Sequence, residues 1–206
     1  MEFETSKNLS GIGAILMFIS VLPYISGYTF GLLGLVGLML LLIGMKGLAE
    51  YYQEASIFNN ALYGSIAAIV GGVTSVAVIV YAAFGLLADL MPNWNGDWTN
   101  IPQLDFSDIT SNINLSTIGS FVATVLLALV ILFVFVVIVA VLYRKSLNSL
   151  KEKSGVGMFG TASTVLLIGS ILTIILVGVF LVWISVLLTA IAFFQLRPAP
   201  TSASTM

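Results

Sequence analysis

The chain contains no cysteine and no histidine. That removes disulfides, thiolate nucleophiles, imidazole bases, Cys/His zinc sites and haem held by either residue. Charge is nearly as scarce, with seven Lys+Arg and nine Asp+Glu in 206 residues, or 8% of the chain, and a formal net charge of −2. A soluble globular domain carries about 25% charged residues. So few ionisable side chains cannot coat a water-soluble protein of this length, and the apolar surface must face lipid. Disorder is excluded by a hydrophobic content of 59%. No basic cluster large enough for nucleic acid is present. The opening Met1-Glu2-Phe3-Glu4-Thr5-Ser6-Lys7 lacks the basic region and cleavage site of a secretory signal.

Long apolar runs fill the space that charge leaves. A helix crossing the hydrocarbon core needs about 20 mostly apolar residues. Ile118–Leu142 and Ala61–Ala88 are the clearest spans. Leu9–Met45 is uncharged throughout, and the turn-forming cluster Pro23, Ser26, Gly27 and Thr29 divides it into spans at 9–25 and 30–45. Met158–Leu196 is also uncharged; as one helix it would be about 58 Å long, nearly twice the core thickness. Val177-Gly178-Val179 is the best break, giving spans at 160–176 and 180–196. The expected fold is an all-α, polytopic helical bundle: one membrane-embedded domain over 1–196 with six transmembrane helices, five being the alternative. Residues 197–206 form a disordered cytoplasmic tail in this reading.

Cytoplasmic loops carry the Lys and Arg excess. With six spans and both termini in the cytoplasm, Lys7, Lys46, Arg144, Lys145, Lys151, Lys153 and Arg197 all fall inside. The outer loop 89–117 then holds Asp89, Asp97, Asp105 and Asp108, and the chain sits in the cell membrane with this loop outside. Tyr24, Tyr28, Trp94 and Trp98 fall near the outer interface, and Tyr51, Tyr52, Tyr63 and Tyr143 near the inner one. Trp183 falls near the outer end of the last span. Gly47–Asn60 has apolar residues at helical spacing opposite Glu50, Gln53 and Glu54, which predicts a short amphipathic helix on the cytoplasmic face.

Chemistry is hard to place on such a chain. All six predicted span interiors lack Asp, Glu, Lys, Arg and His, which argues against proton-coupled transport, voltage sensing and intramembrane hydrolysis. No catalytic residue, metal ligand set or cofactor site is assigned. The oxygen-rich Asn93–Asp97 stretch, with Asp105 and Asp108, lacks calcium-loop spacing and reads as a solvated turn. Asn114-Leu115-Ser116 fits a glycosylation sequon. Small residues instead mark helix packing: Gly27 and Gly31; Ala67, Gly71 and Ser75; and Ser120, Thr124 and Ala128. Such seams let helix backbones approach closely, within one chain or between chains. Hydroxyls such as Ser20, Ser65, Ser170, Ser185 and Thr189 either line a wet path or bond their own helix.

Certain segments resemble a known family. Ser6-Lys7-Asn8-Leu9 leading to Gly11-Ile12-Gly13 is one. Gly47-Leu48-Ala49-Glu50-Tyr51-Tyr52, followed by Ile57-Phe58-Asn59-Asn60-Ala61, is the most specific, and Ile191-Ala192-Phe193-Phe194 ends the match. From about Ser6 to Leu196 the chain resembles domain-of-unknown-function family 996, uncharacterised membrane proteins of archaea and bacteria. The resemblance implies a membrane location and a prokaryotic source, and no activity. Lipid asks only for hydrophobicity, so Glu50, Tyr51, Tyr52, Phe58, Asn59 and Asn60 form a candidate interaction patch, or else they cap the junction between two spans. The functional expectation is a non-enzymatic membrane scaffold or subunit that packs with itself or another membrane protein, lipid being its other partner. The alternative is a passive channel or carrier for a small neutral solute.

Overall fold

The computed structural model describes residues 2–21, 30–90 and 115–198. Among them the chain forms six α-helices and no strand: α1 (Phe3–Ser20), α2 (Phe30–Tyr51), α3 (Ala55–Leu90), α4 (Leu115–Ser154), α5 (Met158–Leu172) and α6 (Val177–Phe194). Five are long and apolar enough to cross a membrane, over Leu32–Tyr51, Ala55–Leu90, Leu115–Ser154, Met158–Ile175 and Val177–Phe194. The exception is α1, which has 18 residues and begins with Glu4 and Lys7, paired one turn apart at 3.4 Å. Gly27, Pro23, most of the outer loop with Asp97, Asp105, Asp108 and Asn114, and the tail beyond Pro198 lie outside the described residues.

The helices run past the predicted spans because a helix does not stop where charge begins. Backbone hydrogen bonds continue into polar residues, so α1 starts at Phe3 rather than Leu9, and α4 continues through Arg144 and Lys145 to Ser154. Asp89 closes α3 rather than opening a loop, and Leu115–Thr117 begin α4.

The amphipathic connector helix expected over Gly47–Asn60 is absent. Instead α2 continues to Tyr51, the chain turns through Tyr52, Gln53 and Glu54, and α3 begins at Ala55. The turn is a Schellman closure. The Glu54 N–H donates to Ala49 O at 2.9 Å, the Gln53 N–H to Glu50 O at 3.3 Å, and Gln53 takes the left-handed conformation at φ 52°. Glycine usually fills this position, and its absence hid the turn from the sequence.

The second correction concerns the final break. It falls before Val177, not at 177–179. A single turn of 3-10 helix spans Thr173–Ile175, and Leu176 at φ 64° reverses the chain. The two sides fold back as a hairpin, α5 against α6. Gly178 works as a contact rather than a hinge: a Cβ there would strike the Gly169 carbonyl oxygen and the Thr173 nitrogen.

By their contacts the residues divide into two compact units, Met1–Ala68 with Val136–Met206, and Ile69–Phe135. In the first, α1 packs on α2 and α6. A Cβ on Gly13 would sit 2.6 Å from the Gly37 oxygen, and one on Gly44 2.5 Å from the Ser10 nitrogen. In hydrocarbon no hydrophobic force separates helix from lipid, so close backbone approach of this kind supplies the attraction. The unit's core gathers Met45, Leu48, Ile57, Leu150, Phe159 and Phe193, and the rings of Phe159 and Phe193 meet edge to face at 5.2 Å. The second unit holds Ile69–Leu90 of α3 and Leu115–Phe135 of α4, with Gly71 backed onto the Phe135 ring.

Two substitutions test these turns. Gln53→Gly removes the cost of a left-handed L-residue and is expected to stabilise the chain by about 1 kcal/mol. Gly178→Ala forces a methyl into facing backbone and is expected to destabilise by about 2 kcal/mol. Thermal unfolding in mild detergent reads both.

Candidate functional sites

One end of the first unit collects the polar chemistry. The ring of Phe3 lies 4.6 Å from Tyr51 and 6.4 Å from Tyr52, which joins the start of α1 to the α2–α3 turn. The Lys153 ammonium lies 3.4 Å from the Glu54 carboxylate, and the Ser56 and Ser149 hydroxyls pair at 2.9 Å, which joins the end of α4 to the same turn. Buried Ser146 donates to the Ile57 carbonyl, and Ser163 to Asn148 Oδ1 at 2.9 Å, which adds α5. Gly11 abuts the Phe194 ring, bringing in the end of α6. Lys7 lies in the first turns of α1, Lys46 in the last turns of α2, Lys151 and Lys153 in the last turn of α4 with Arg144 and Lys145 two to three turns earlier, and Arg197 three residues past α6.

The structure divides the patch singled out in the sequence. Tyr51 and Tyr52 meet edge to face at 5.0 Å under Phe3, and Phe58 packs half-buried on the core. These rings close the α2–α3 junction. Glu50 and Asn59 remain on the surface, and Asn60 is half-buried. Burial, and secondarily the neighbouring Tyr51, pushes the Tyr52 phenol from 10.0 to about 12. The Tyr52 hydroxyl has no hydrogen-bond partner. Glu54 is held below the usual carboxylate range, first by a hydrogen bond from Ser56 and then by Lys153.

The packing seams are partly used within the chain. Gly71, Ser75 and Ala128 are buried, and Ala67 is half-buried. Ser120 and Thr124 give their protons to the carbonyls of Thr117 and Ser120, each at 2.9 Å. Gly31 lies in the first turn of α2. By contrast Gly72, Gly85 and Gly119 face open space. Two further close seams, Ser10 and Gly13 against Gly37 and Gly44, and Gly169 against Gly178, were not paired from the sequence. Their signal was present: Ser6, Ser10 and Gly13 share one face of α1, and Gly37 and Gly44 are two turns apart on α2.

Six span hydroxyls serve their own helices, whereas buried Ser10 and Ser75 have no hydrogen-bond partner. Ser20, Ser65, Ser170, Thr173, Ser185 and Thr189 each donate to a carbonyl one turn back, at 2.6 to 3.0 Å. Trp183 lies in the second turn of α6, beside the end of α1. Its ring stacks on Phe18 at 4.4 Å, and its N–H donates to the Phe18 carbonyl at 3.0 Å.

Within the first unit lies a cavity of about 160 Å³, walled by Ala14 and Met17 of α1, Leu41 of α2, Val139, Tyr143 and Leu147 of α4, Leu166 of α5, and Val182, Ser185, Val186 and Thr189 of α6.

Among the described residues six α-helices, five of them long and apolar enough to span a bilayer, define an all-α helical bundle of the polytopic membrane type. The chain belongs to the family described as "Protein of unknown function (DUF996)", whose model matches residues 33–187. It is similar to "Uncharacterized protein MJ1644" of Methanocaldococcus jannaschii, with 24% identity over 196 residues, covering 95% of this chain and 94% of that protein. No solved structure matches the chain significantly.

The Tyr52 environment fixes a pH dependence. Between pH 10 and about 12 the unfolded chain releases a proton that the folded chain keeps. The unfolded state then binds fewer protons, so stability falls as pH rises through that window and is unaffected by this group below it. The melting temperature is expected to drop between pH 10 and about 12, and to drop less in Tyr52→Phe. Equal drops in both proteins would contradict the assignment.

Proposed function

We propose that this chain is a non-enzymatic membrane subunit, with its basic end in the cytoplasm, that associates through α3 and α4 with a second copy or with another membrane protein. One observation carries the reading: of the five apolar helices these two are the least covered by the other described residues. The most apolar windows of α3 and α4 are only 17% and 11% buried within the chain. The open glycine faces at Gly72 and Gly85 admit a close helix there.

The non-enzymatic part rests on the missing Cys and His and on uncharged span interiors. The basic end is assigned to the cytoplasm because Lys and Arg are retained on that side.

Native mass spectrometry from nanodiscs tests association. A dimer or a stoichiometric co-purifying membrane protein is expected, with Gly72→Leu weakening it at least about tenfold, as for loss of a close helix contact of about 1.4 kcal/mol. A monomer with no companion would overturn the reading. Liposome flux of small neutral solutes is expected to match protein-free vesicles, because six of the span hydroxyls give their protons to their own helices; faster flux would favour the channel.

A further inference from the structure

We propose that the cleft lined by α1, α2, α4, α5 and α6 is a binding site for a segment of a lipid acyl chain. This does not depend on what covers α3 and α4.

Three observations exclude other occupants. The walls bear no charged side chain, so an ion would lose its hydration with nothing in return. The Ser185 hydroxyl donates to the Val182 carbonyl at 2.6 Å, and Thr189 to Ser185 at 2.8 Å. Tyr143 shares its hydroxyl with Ser65 at 2.7 Å. A water molecule needs two to four polar partners and would find little here beyond hydroxyl oxygens already engaged. The volume, about 160 Å³, matches the size class of apolar cavities that stay dry and take up benzene, so it suits a run of about six carbons. The surrounding solvent of these helices supplies such a chain in excess. Met17, with three rotatable bonds, lets the wall adapt to it.

Two residues set deep in the cavity wall report on an occupant that penetrates it: Ala14 is 1% exposed and Leu41 4%. The protein is reconstituted in phosphatidylcholine vesicles containing a phosphatidylcholine whose acyl chain carries a mid-chain diazirine. After irradiation, labelled residues are mapped by peptide mass spectrometry. Labelling is expected at Ala14 and Leu41, well above that at Phe159, which is fully buried away from the cavity, and alongside strong labelling of exposed Val73. Val186→Phe and Val139→Phe fill the cavity from two different helices. Each is expected to reduce labelling of Ala14 and Leu41 at least tenfold and to leave Val73 unchanged, with helicity by circular dichroism confirming the fold. A free diazirine fatty acid in the same vesicles separates the two sources of chain: competition by it at Ala14 still supports the hydrocarbon site. Labelling of Ala14 and Leu41 no stronger than that of Phe159 in the unmodified chain would overturn the proposal. So would labelling that persists in both folded variants.

Discussion

Everything in this fold follows from one constraint: within hydrocarbon, a backbone amide must find its partner inside its own helix. Water is not there to accept the bond, so chain segments become helices and polar side chains turn inward to carbonyls one turn back. Ser170 on Leu167 and Ser185 on Val182 show the rule at side-chain level. Once helices are self-satisfied, lipid competes equally for their apolar flanks, and what holds them together is closeness. Gly13 against Gly37, Gly44 against Ser10, and Gly169 against Gly178 are where the first unit gains it.

A different force acts at the basic end. There Arg144, Lys151 and Lys153 belong to an aqueous interface, and water once more penalises exposed hydrocarbon. Leu48, Ile57, Leu150, Phe159 and Phe193 are fully buried or nearly so in that region. Each such side chain contributes about 1.5–3 kcal/mol relative to exposure. The Phe3–Tyr51–Tyr52 ring cluster and the Glu54–Lys153 pair seal the same end, the latter weakly because it is partly exposed. The Gly47-Leu48-Ala49-Glu50-Tyr51-Tyr52 stretch is therefore explained first by closure of a helix junction.

Helix number and class were legible because uncharged runs of span length admit few other structures. Helix ends were less so. Leaving the membrane changes a helix's solvent without breaking its hydrogen bonds, so Lys46 and Arg144 mark an interface and not a terminus. The two tight reversals were hidden because Gln53 and Leu176, rather than glycine, occupy their left-handed positions. The resemblance to the family was readable from residues 6–61 and 191–194. The cavity was not: Ala14, Leu41, Tyr143 and Thr189 lie on four helices, and no spacing within one segment reports a void between several.

The central claim is that lipid sheathes the helices, with their basic ends on one side. The chain has no native cysteine, so single cysteines report position without background. A membrane-impermeant maleimide applied to intact cells is expected to label Thr99→Cys in the acidic loop. Glu152→Cys should label only after the cells are opened, and Val73→Cys only after denaturation. Labelling of Val73→Cys in the native protein, or of Glu152→Cys in intact cells, would contradict the account.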